Sequence, residues 1–396
     1  MKIAMVSNYF ASHRGGIEIV AEQLYLAFAR EDLEVRWLAS SSSMPPGRSG
    51  KSSAVPFATF NFAEKRTGIP FPIPNFRSIR TIFREVRQSD IVLIHDCLYL
   101  HSLVAFLSAA ICQKPVVIVQ HIGFIPYRSP ILNMMMRLAI AWLAKPMLKK
   151  ADQTVFISSA VRDSFRNLRF RSAPEMIFNG VDIDLFRPSA DSEEPSHIRR
   201  SFGLPADRKI VLFVGRFVEK KGLVFLKIMS EVRRNWIWVF AGWGPLDPSD
   251  WNAPNVRVLT DLPRASVAAL YRACDVLVLP SYGEGFPLVI QEALASGLPV
   301  VCSGESLGAD SAMEGVVGSA PVDPENPGGT AAGFIGELDG LLASAGADAQ
   351  RLRRFAETQY SWQRACRRYL EIFRRLCPQL SSQAVGAVSK NVRICR

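Results

Sequence analysis

The sequence predicts an α/β protein built from two doubly wound, Rossmann-like parallel-sheet domains that face each other across a cleft. Three observations carry this expectation. Short apolar runs of strand type alternate with amphipathic helical stretches in both halves, the pattern of parallel sheets covered on both faces. The alternation stops once, in the polar, Pro-containing stretch PSADSEEPSHIRR, and then resumes. The 396 residues also give each half enough chain for a core of its own.

In the first half KIAMVSN reads as a strand, GIEIVAEQLYLAFAR as an amphipathic helix and LEVRWLAS as a second strand; IVLIHD, VVIVQH and QTVFIS follow as further strands. Residues 40–56, rich in Ser, Pro and Gly, read as a mobile loop. In the second half the strands are IVLFVGR, WIWVFAG, VRVL, DVLVLP and PVVC. The expected division is an N-terminal domain over 1–187, a linker over 188–207, a C-terminal domain over 208–360 and a helix with a tail over 361–396.

Hydrophobic residues make up 48% and charged residues 21% of the chain, values of a globular protein rather than a disordered or fibrous one. The seven cysteines are scattered at 97, 112, 274, 302, 366, 377 and 395. They show no zinc spacing, and the odd count argues against a disulfide framework. A reducing, cytoplasmic setting is expected. The run IAMV after Lys2 is too short for a signal peptide. No window approaches eighteen uninterrupted apolar residues, so no spanning helix is expected.

The net charge of +11 is uneven. Residues 1–190 hold 23 Lys and Arg against 14 Asp and Glu, the rest 24 against 22. Nucleic acid is disfavoured as the partner, because no recognition helix, zinc finger or RNP-like strand is present. An anionic membrane surface fits better. ILNMMMRLAIAWLAKPMLKK, residues 131–150, joins Met, Leu, Ile and Trp to cations at 137, 145, 149 and 150, and IRTIFREVR, residues 79–87, is a second basic amphipathic stretch. The alternative for both is a core helix with a solvated basic end.

The densest chemistry lies in DVLVLPSYGEGFPLVIQEALASGLPVV, residues 275–301. Gly283 and Gly285 break an apolar strand, and Pro287 suits the first turn of the helix that follows. Glu284 falls in the loop at the strand's carboxyl end, where open α/β sheets bind ligands. Glu292 falls five residues into the helix, about 7–8 Å along its axis. Backbone N–H groups near Phe286 and Leu288 face the same space and would hold an anion. Two carboxylates for hydroxyls beside an anion site describe a nucleotide-sugar site. Earlier in the same half, Gly215-Arg216 ends a strand and Lys221-Gly222 opens the next helix, placing two cations where they can pair with a diphosphate.

In the first half Gly15 and Gly16 sit between the first strand and first helix, where a backbone can approach a phosphate or acceptor closely, or simply turn. The spacing lacks Gly-x-Gly-x-x-Gly, which disfavours NAD. His13 beside them is an acceptor-side candidate. His121 closes VVIVQ and points from the carboxyl edge of the sheet; His95 and Asp96 end a neighbouring strand at the same edge and are further acceptor-side candidates, which could simply shape that pocket.

The stretch over 275–301, with Glu292-Ala293 and Gly297-Leu298-Pro299-Val300, closely resembles the donor-site signature of family 4 retaining glycosyltransferases of GT-B architecture. Gly215-Arg216 with Lys221-Gly222, His121-Ile122-Gly123, the turn Asn179-Gly180-Val181-Asp182 and the loop Gly242-Trp243-Gly244-Pro245 fall in family order. Trp243 stands where smaller or acidic residues are common. The resemblance implies a metal-independent enzyme without a cofactor. Its donor is a UDP- or GDP-sugar, contacted by Gly15, Gly16, Gly215, Gly242, Gly285, Phe286, Pro287 and Leu288. Arg216 and Lys221 would stabilise the leaving diphosphate, Glu292 would hold the ribose, and Glu284 and His121 the sugar. It explains Asp182-x-Asp184 as part of a junction motif rather than a metal site, and has the final helix pack back on the first domain.

The basic first domain points to a lipid-linked saccharide as acceptor, at the inner face of the plasma membrane, in polysaccharide or lipopolysaccharide assembly. A soluble small-molecule acceptor is the rival. A nucleotide-sugar 2-epimerase would need further acid and base residues, and a non-catalytic nucleotide-sugar sensor would not need His121.

Overall fold

The computed structural model describes residues 1–13, 15–61, 72–123, 130–283, 286–343 and 348–378. The chain divides into two compact units, one of Met1–Asn179 with the chain from Trp362 onward, the other of Gly180–Ser361.

The sheet of the first unit is formed by β1 (Lys2–Val6), β2 (Glu34–Ser40), β3 (Ser53–Phe57), β6 (Ile91–His95), β7 (Val116–Gln120), β8 (Gln153–Phe156) and β9 (Glu175–Met176). Its order is β3-β2-β1-β6-β7-β8-β9, every pairing parallel. Two short strands, β4 (Thr59–Phe60) and β5 (Ile73–Pro74), pair antiparallel outside it. The apolar runs are buried because helices cover the sheet: Ile91 to Ile94 and Val117 to Val119 are all 0% exposed.

The second sheet is formed by β10 (Ile210–Arg216), β11 (Ile237–Trp243), β12 (Val256–Leu259), β13 (Val276–Leu279), β14 (Val300–Ser303) and β15 (Gly318–Ala320). Its order, β12-β11-β10-β13-β14-β15, is again all parallel. Both sheets grow from a first strand outward in one direction, then start again on its other side. The reversal lies between β1 and β6 in one sheet and between β10 and β13 in the other, and the carboxyl ends of those strands border a ligand crevice in such folds.

Three stretches differ from the sequence expectation. The Ser, Pro and Gly-rich region 40–56 supplies part of an edge strand, β3; Pro56 is tolerated there because the strand pairs on one side only. Residues 188–207, expected as a linker, hold the helix Glu194–Ser201. Arg199 of that helix bonds Asp275 at 3.0 Å and the Ala273 carbonyl at 2.7 Å, while Glu194 pairs with Arg272 at 2.9 Å, so the stretch is built into the second unit. The basic stretch 79–87 belongs to the helix Phe76–Arg87, capped by Asn75, whose side chain accepts from the Ser78 N–H. Ile82 and Val86 on it are fully buried and serve the core, while Phe76 and Ile79 of the same helix are exposed.

The helix Trp362–Leu376 lies on the first unit. Tyr369 and Phe373 meet Phe28 at ring distances of 5.9 and 5.4 Å. Arg375 and Arg368 both bond Glu175, at 2.6 and 2.9 Å. Burial alone would raise the Glu175 pKa, but the two guanidinium partners hold it below its ordinary value. The six described cysteines are free thiols. Among the described residues no helix is long and apolar enough to cross a membrane.

Candidate functional site

In the second unit the residues named from sequence gather at the β10–β13 reversal. Gly215 and Arg216 form the carboxyl end of β10. Gly222, at φ +76°, sits so close to the end of β13 that a Cβ there would lie 2.4 Å from the Pro280 carbonyl. Only glycine permits that approach. The contact joins the loop after β10 to the loop after β13, and the Tyr282 N–H adds a 3.0 Å bond to the Lys220 carbonyl. Lys221 is thereby folded back over the strand end, its Cε 3.6 Å from where a Gly215 Cβ would stand. Arg216, next along, is exposed. The neighbouring strand end is pressed as tightly, since a Cβ on Gly242 would meet the Gly215 carbonyl oxygen. Trp243, beyond it, is half in solvent.

Glu292 lies in the helix Leu288–Ala295. The Tyr271 hydroxyl donates to its carboxylate at 2.9 Å. Burial raises the Glu292 pKa, opposed by the charge of Arg264 and by that hydrogen bond. Tyr271 was not singled out from the sequence, because an aromatic in an apolar helix carries the pattern of a core residue; it is indeed only 1% exposed. Pro287 takes the N-cap position with no side-chain cap, so no side chain of the cap occupies the first-turn N–H groups that Leu288 opens. Phe286 is buried edge-on against Tyr360 at 5.4 Å. Glu284 and Gly285 lie outside the described residues.

In the first unit the strand ends bring together three of the predicted residues. His95 Nδ1 and His121 Nε2 are 3.0 Å apart, with the rings stacked at 5.3 Å. Asp96, at φ +66°, is fully buried. Its carboxylate accepts from the backbone N–H groups of Leu98 and Ile122 at 3.0 Å and from Gln120 Nε2 at 3.1 Å. Burial pushes Asp96 up to about 6, and these donors work against the rise. An acceptor-side role was expected of Asp96; the geometry instead spends its oxygens on fastening the turn that carries His121.

Gly15 and Gly16 head the helix Gly16–Arg30. The space over Gly15 is filled from within: a Cβ there would collide with the Glu18 carboxylate, which is buried. An acid at the third position of the helix is placed as in a capping box, a signal present in the sequence and not used. The Glu18 carboxylate thus lies against Gly15, whereas nothing lies within 4 Å of a Gly16 Cβ. His13 stacks on Tyr9 at 4.0 Å and is exposed. Asp182 spends its Oδ1 on its own turn, accepting from the Asp184 and Leu185 N–H groups at 3.2 and 3.1 Å.

Residues 14–185 match the family model Glycosyltransferase Family 4, and residues 208–338 match Glycosyl transferases group 1. Together the matches cover well over half of the chain. The chain belongs to the family 4, group 1 glycosyltransferases. Among similar members of this family, the putative teichuronic acid biosynthesis glycosyltransferase TuaC of Bacillus subtilis is 35% identical over 124 residues, 31% of this chain and 32% of that one. A D-inositol 3-phosphate glycosyltransferase of Corynebacterium aurimucosum is 34% identical over 141 residues, 31% of this chain and 33% of that one. The chain thus spans about a third of the length of these curated relatives. Among solved structures, Anabaena Alr3699/HepE in complex with UDP and glucose superposes with a TM-score of 0.70 at 16% identity, over 94% of this chain and 99% of that one. WaaG, a glycosyltransferase involved in lipopolysaccharide biosynthesis, gives 0.65 at 16% identity over 91% and 97%. These likenesses give the fold, which is GT-B.

Proposed function

We propose that the protein is a retaining, metal-independent glycosyltransferase that moves a sugar from a nucleotide diphosphate to a hydroxyl group, the acceptor being a lipid-linked saccharide at the cytoplasmic face of the membrane. The observation that carries this reading is Lys221, folded over the end of β10 beside Arg216 at the reversal of the second sheet. Two cations held there by tight glycine contacts suit a diphosphate better than a neutral ligand. The HepE structure, which holds UDP and glucose, supports a uridine nucleotide as the first donor to test.

In the mechanism, Arg216 and Lys221 neutralise the diphosphate as it leaves, supported by the uncapped amides at Leu288. Glu292, held in place by Tyr271, accepts hydrogen bonds from the ribose hydroxyls, and Glu284 from those of the sugar. The acceptor oxygen forms a bond to the anomeric carbon on the face from which the phosphate oxygen departs. That oxygen takes the acceptor's proton, so no protein nucleophile is needed. His121 assists at the sugar.

A panel of UDP- and GDP-sugars in a thermal-shift assay tests the donor. A ligand at about 100 times its Kd stabilises by about 2.7 kcal/mol, which moves the Tm of a unit this size by about 5–10 °C. No shift with any nucleotide or nucleotide sugar would remove the basis of the reading. Transfer should also persist in EDTA; a strict metal requirement would redirect attention to Asp182 and Asp184.

The membrane part of the proposal rests on the helical stretch from Pro130 to Lys150, α-helical except for a π-turn at Ile140–Ala144. Met134, Met135 and Leu138 are more than half exposed, and Trp142 is 76% exposed, with Arg137, Lys145, Lys149 and Lys150 exposed on the same stretch. An apolar strip rimmed by cations suits an anionic bilayer surface. The protein is expected to float with anionic liposomes and to be released by salt. Neutralising Lys145, Lys149 and Lys150 together should weaken binding about 100-fold, at about 1 kcal/mol per cation. Equal flotation with neutral and anionic vesicles would count against it.

A further inference from the structure

The contact between His95 and His121 fixes more than position. With Nδ1 of one ring 3.0 Å from Nε2 of the other, a single proton lies between them, and there are two ways to supply it. If His121 donates from Nε2, His95 must carry its own proton on its Nε2. That atom is fully buried and has no hydrogen-bond partner among the described residues, so an N–H there would be an orphaned donor. If His95 donates from Nδ1, its Nε2 holds only a lone pair, and His121 must carry its proton on Nδ1. Orphaned buried N–H groups are rarer than under-used acceptors, so the second arrangement is favoured.

We infer that His95 is a positioning residue that holds His121 as its Nδ1–H tautomer, so that His121 offers a hydrogen-bond donor rather than a lone pair to whatever approaches its Nδ1 side. Burial pushes His95 down to about 3 and His121 well below its ordinary value, so both rings are neutral near pH 7, as the single-proton argument requires. Asp96 does not compete for the imidazole protons. Its hydrogen bonds come from Gln120 and from the backbone N–H groups of Leu98, His121 and Ile122. The end of β6 therefore acts on His121 twice, Asp96 fixing its backbone and His95 its proton. The tautomer follows from the geometry of two neutral rings. Its use rests on the proposed transfer reaction, where an N–H facing the sugar binds a hydroxyl oxygen and stabilises negative charge as it develops.

Long-range proton–nitrogen correlation spectra of the 15N-labelled full-length protein near pH 7 read the tautomer directly, with His121 assigned by its loss in His121→Asn. The expected pattern is a protonated-type Nδ1 and an unprotonated-type Nε2 for His121, the reverse of the tautomer free histidine prefers. In His95→Leu the His121 pattern should revert to Nε2–H. In His95→Asn, whose amide can still donate from near the Nδ1 position, it should be kept. A wild-type His121 protonated at Nε2 would overturn the inference whether or not the variants fold, and so would an unchanged pattern in a folded His95→Leu. Because no substrate is present, this result is independent of the transfer reading. If transfer is then measured, His95→Leu should cost about 10- to 100-fold in turnover, the size of loss when a histidine's orienting partner is removed, and His95→Asn should recover most of it. Loss of transfer in every variant with the wild-type tautomer as expected would leave the inference standing and count against the assigned use.

Discussion

Replacing Lys221 by Ala is expected to lower kcat/KM for sugar transfer by about 10²–10³-fold, the loss seen when one preorganised partner of a developing oxyanion is removed. Arg216→Ala should fall in the same range. The two replacements together should cost less than the product of the single losses, because both cations serve one diphosphate. The effect follows from placement. Lys221 is brought over Gly215 beside the left-handed turn at Gly222, where a Cβ would collide with the Pro280 carbonyl. In the proposed reaction the ammonium would thus be held where charge appears when the phosphate leaves, without reorganisation. Lys221→Arg should keep part of the activity, since the charge stays while the geometry changes. The check is steady-state transfer with the donor found by thermal shift, together with donor stabilisation of each variant. Wild-type transfer by both alanine variants would refute the assignment.

The parts of the molecule that could be read from sequence are those where one residue type has one physical use. The buried strands declared themselves because a parallel sheet covered on both faces needs unbroken apolar runs such as IVLIH and VLVL, at β6 and β13. The cations at 216 and 221 were visible because a glycine stands beside each. What escaped had two possible uses. Ser53 to Phe57 lies among turn-forming residues, yet it forms an edge strand, whose pairing partner is set by tertiary structure rather than local composition. The polar helix Glu194–Ser201 has no apolar face to advertise it; Arg199, Glu194 and their partners at the end of another helix and just after it hold it instead. Ile82 and Val86 could have faced a membrane or a core, and only the packing against the helix Leu100–Ile111 decides for the core. The Tyr271 contact was invisible for a related reason: it links Glu292 to an aromatic with the pattern of a core residue, and such support is written in three dimensions.

Acidification from pH 7 to pH 5 is expected to destabilise the first unit by on the order of 5 kcal/mol, comparable to the whole stability of many domains. The cause is the set of buried histidines. Burial holds His95 and His101 at about 3, and burial with the neighbouring His95 holds His121 well below its ordinary value. In the unfolded chain each titrates near 6.5. As the pH falls below that value the unfolded state binds protons that the folded state refuses, so stability is full above about 6.5 and drains at about 1.4 kcal/mol per pH unit for each histidine. Asp96 works in the opposite sense. Burial raises it from 3.8 to about 6, so in the interval between those values the folded state holds a proton that the unfolded chain has released, and one of the three histidine contributions is offset there. The net slope should therefore grow as the pH falls through 6.5 and level off below about pH 6 near two protons, about 2.7 kcal/mol per pH unit, rather than three. Urea unfolding followed from pH 7.5 to pH 5 measures it. His101 is the ring to vary, because it stacks on Tyr99 and meets Phe57 with no part in the His121 contact. His101→Phe keeps an aromatic ring there and removes one titrating group, which should lift the stability at pH 5 relative to pH 7.5 by about 2 kcal/mol. A stability that does not change between pH 7.5 and pH 5 would mean that these imidazoles accept protons in the folded state, contradicting the burial that also underlies the single proton shared by His95 and His121.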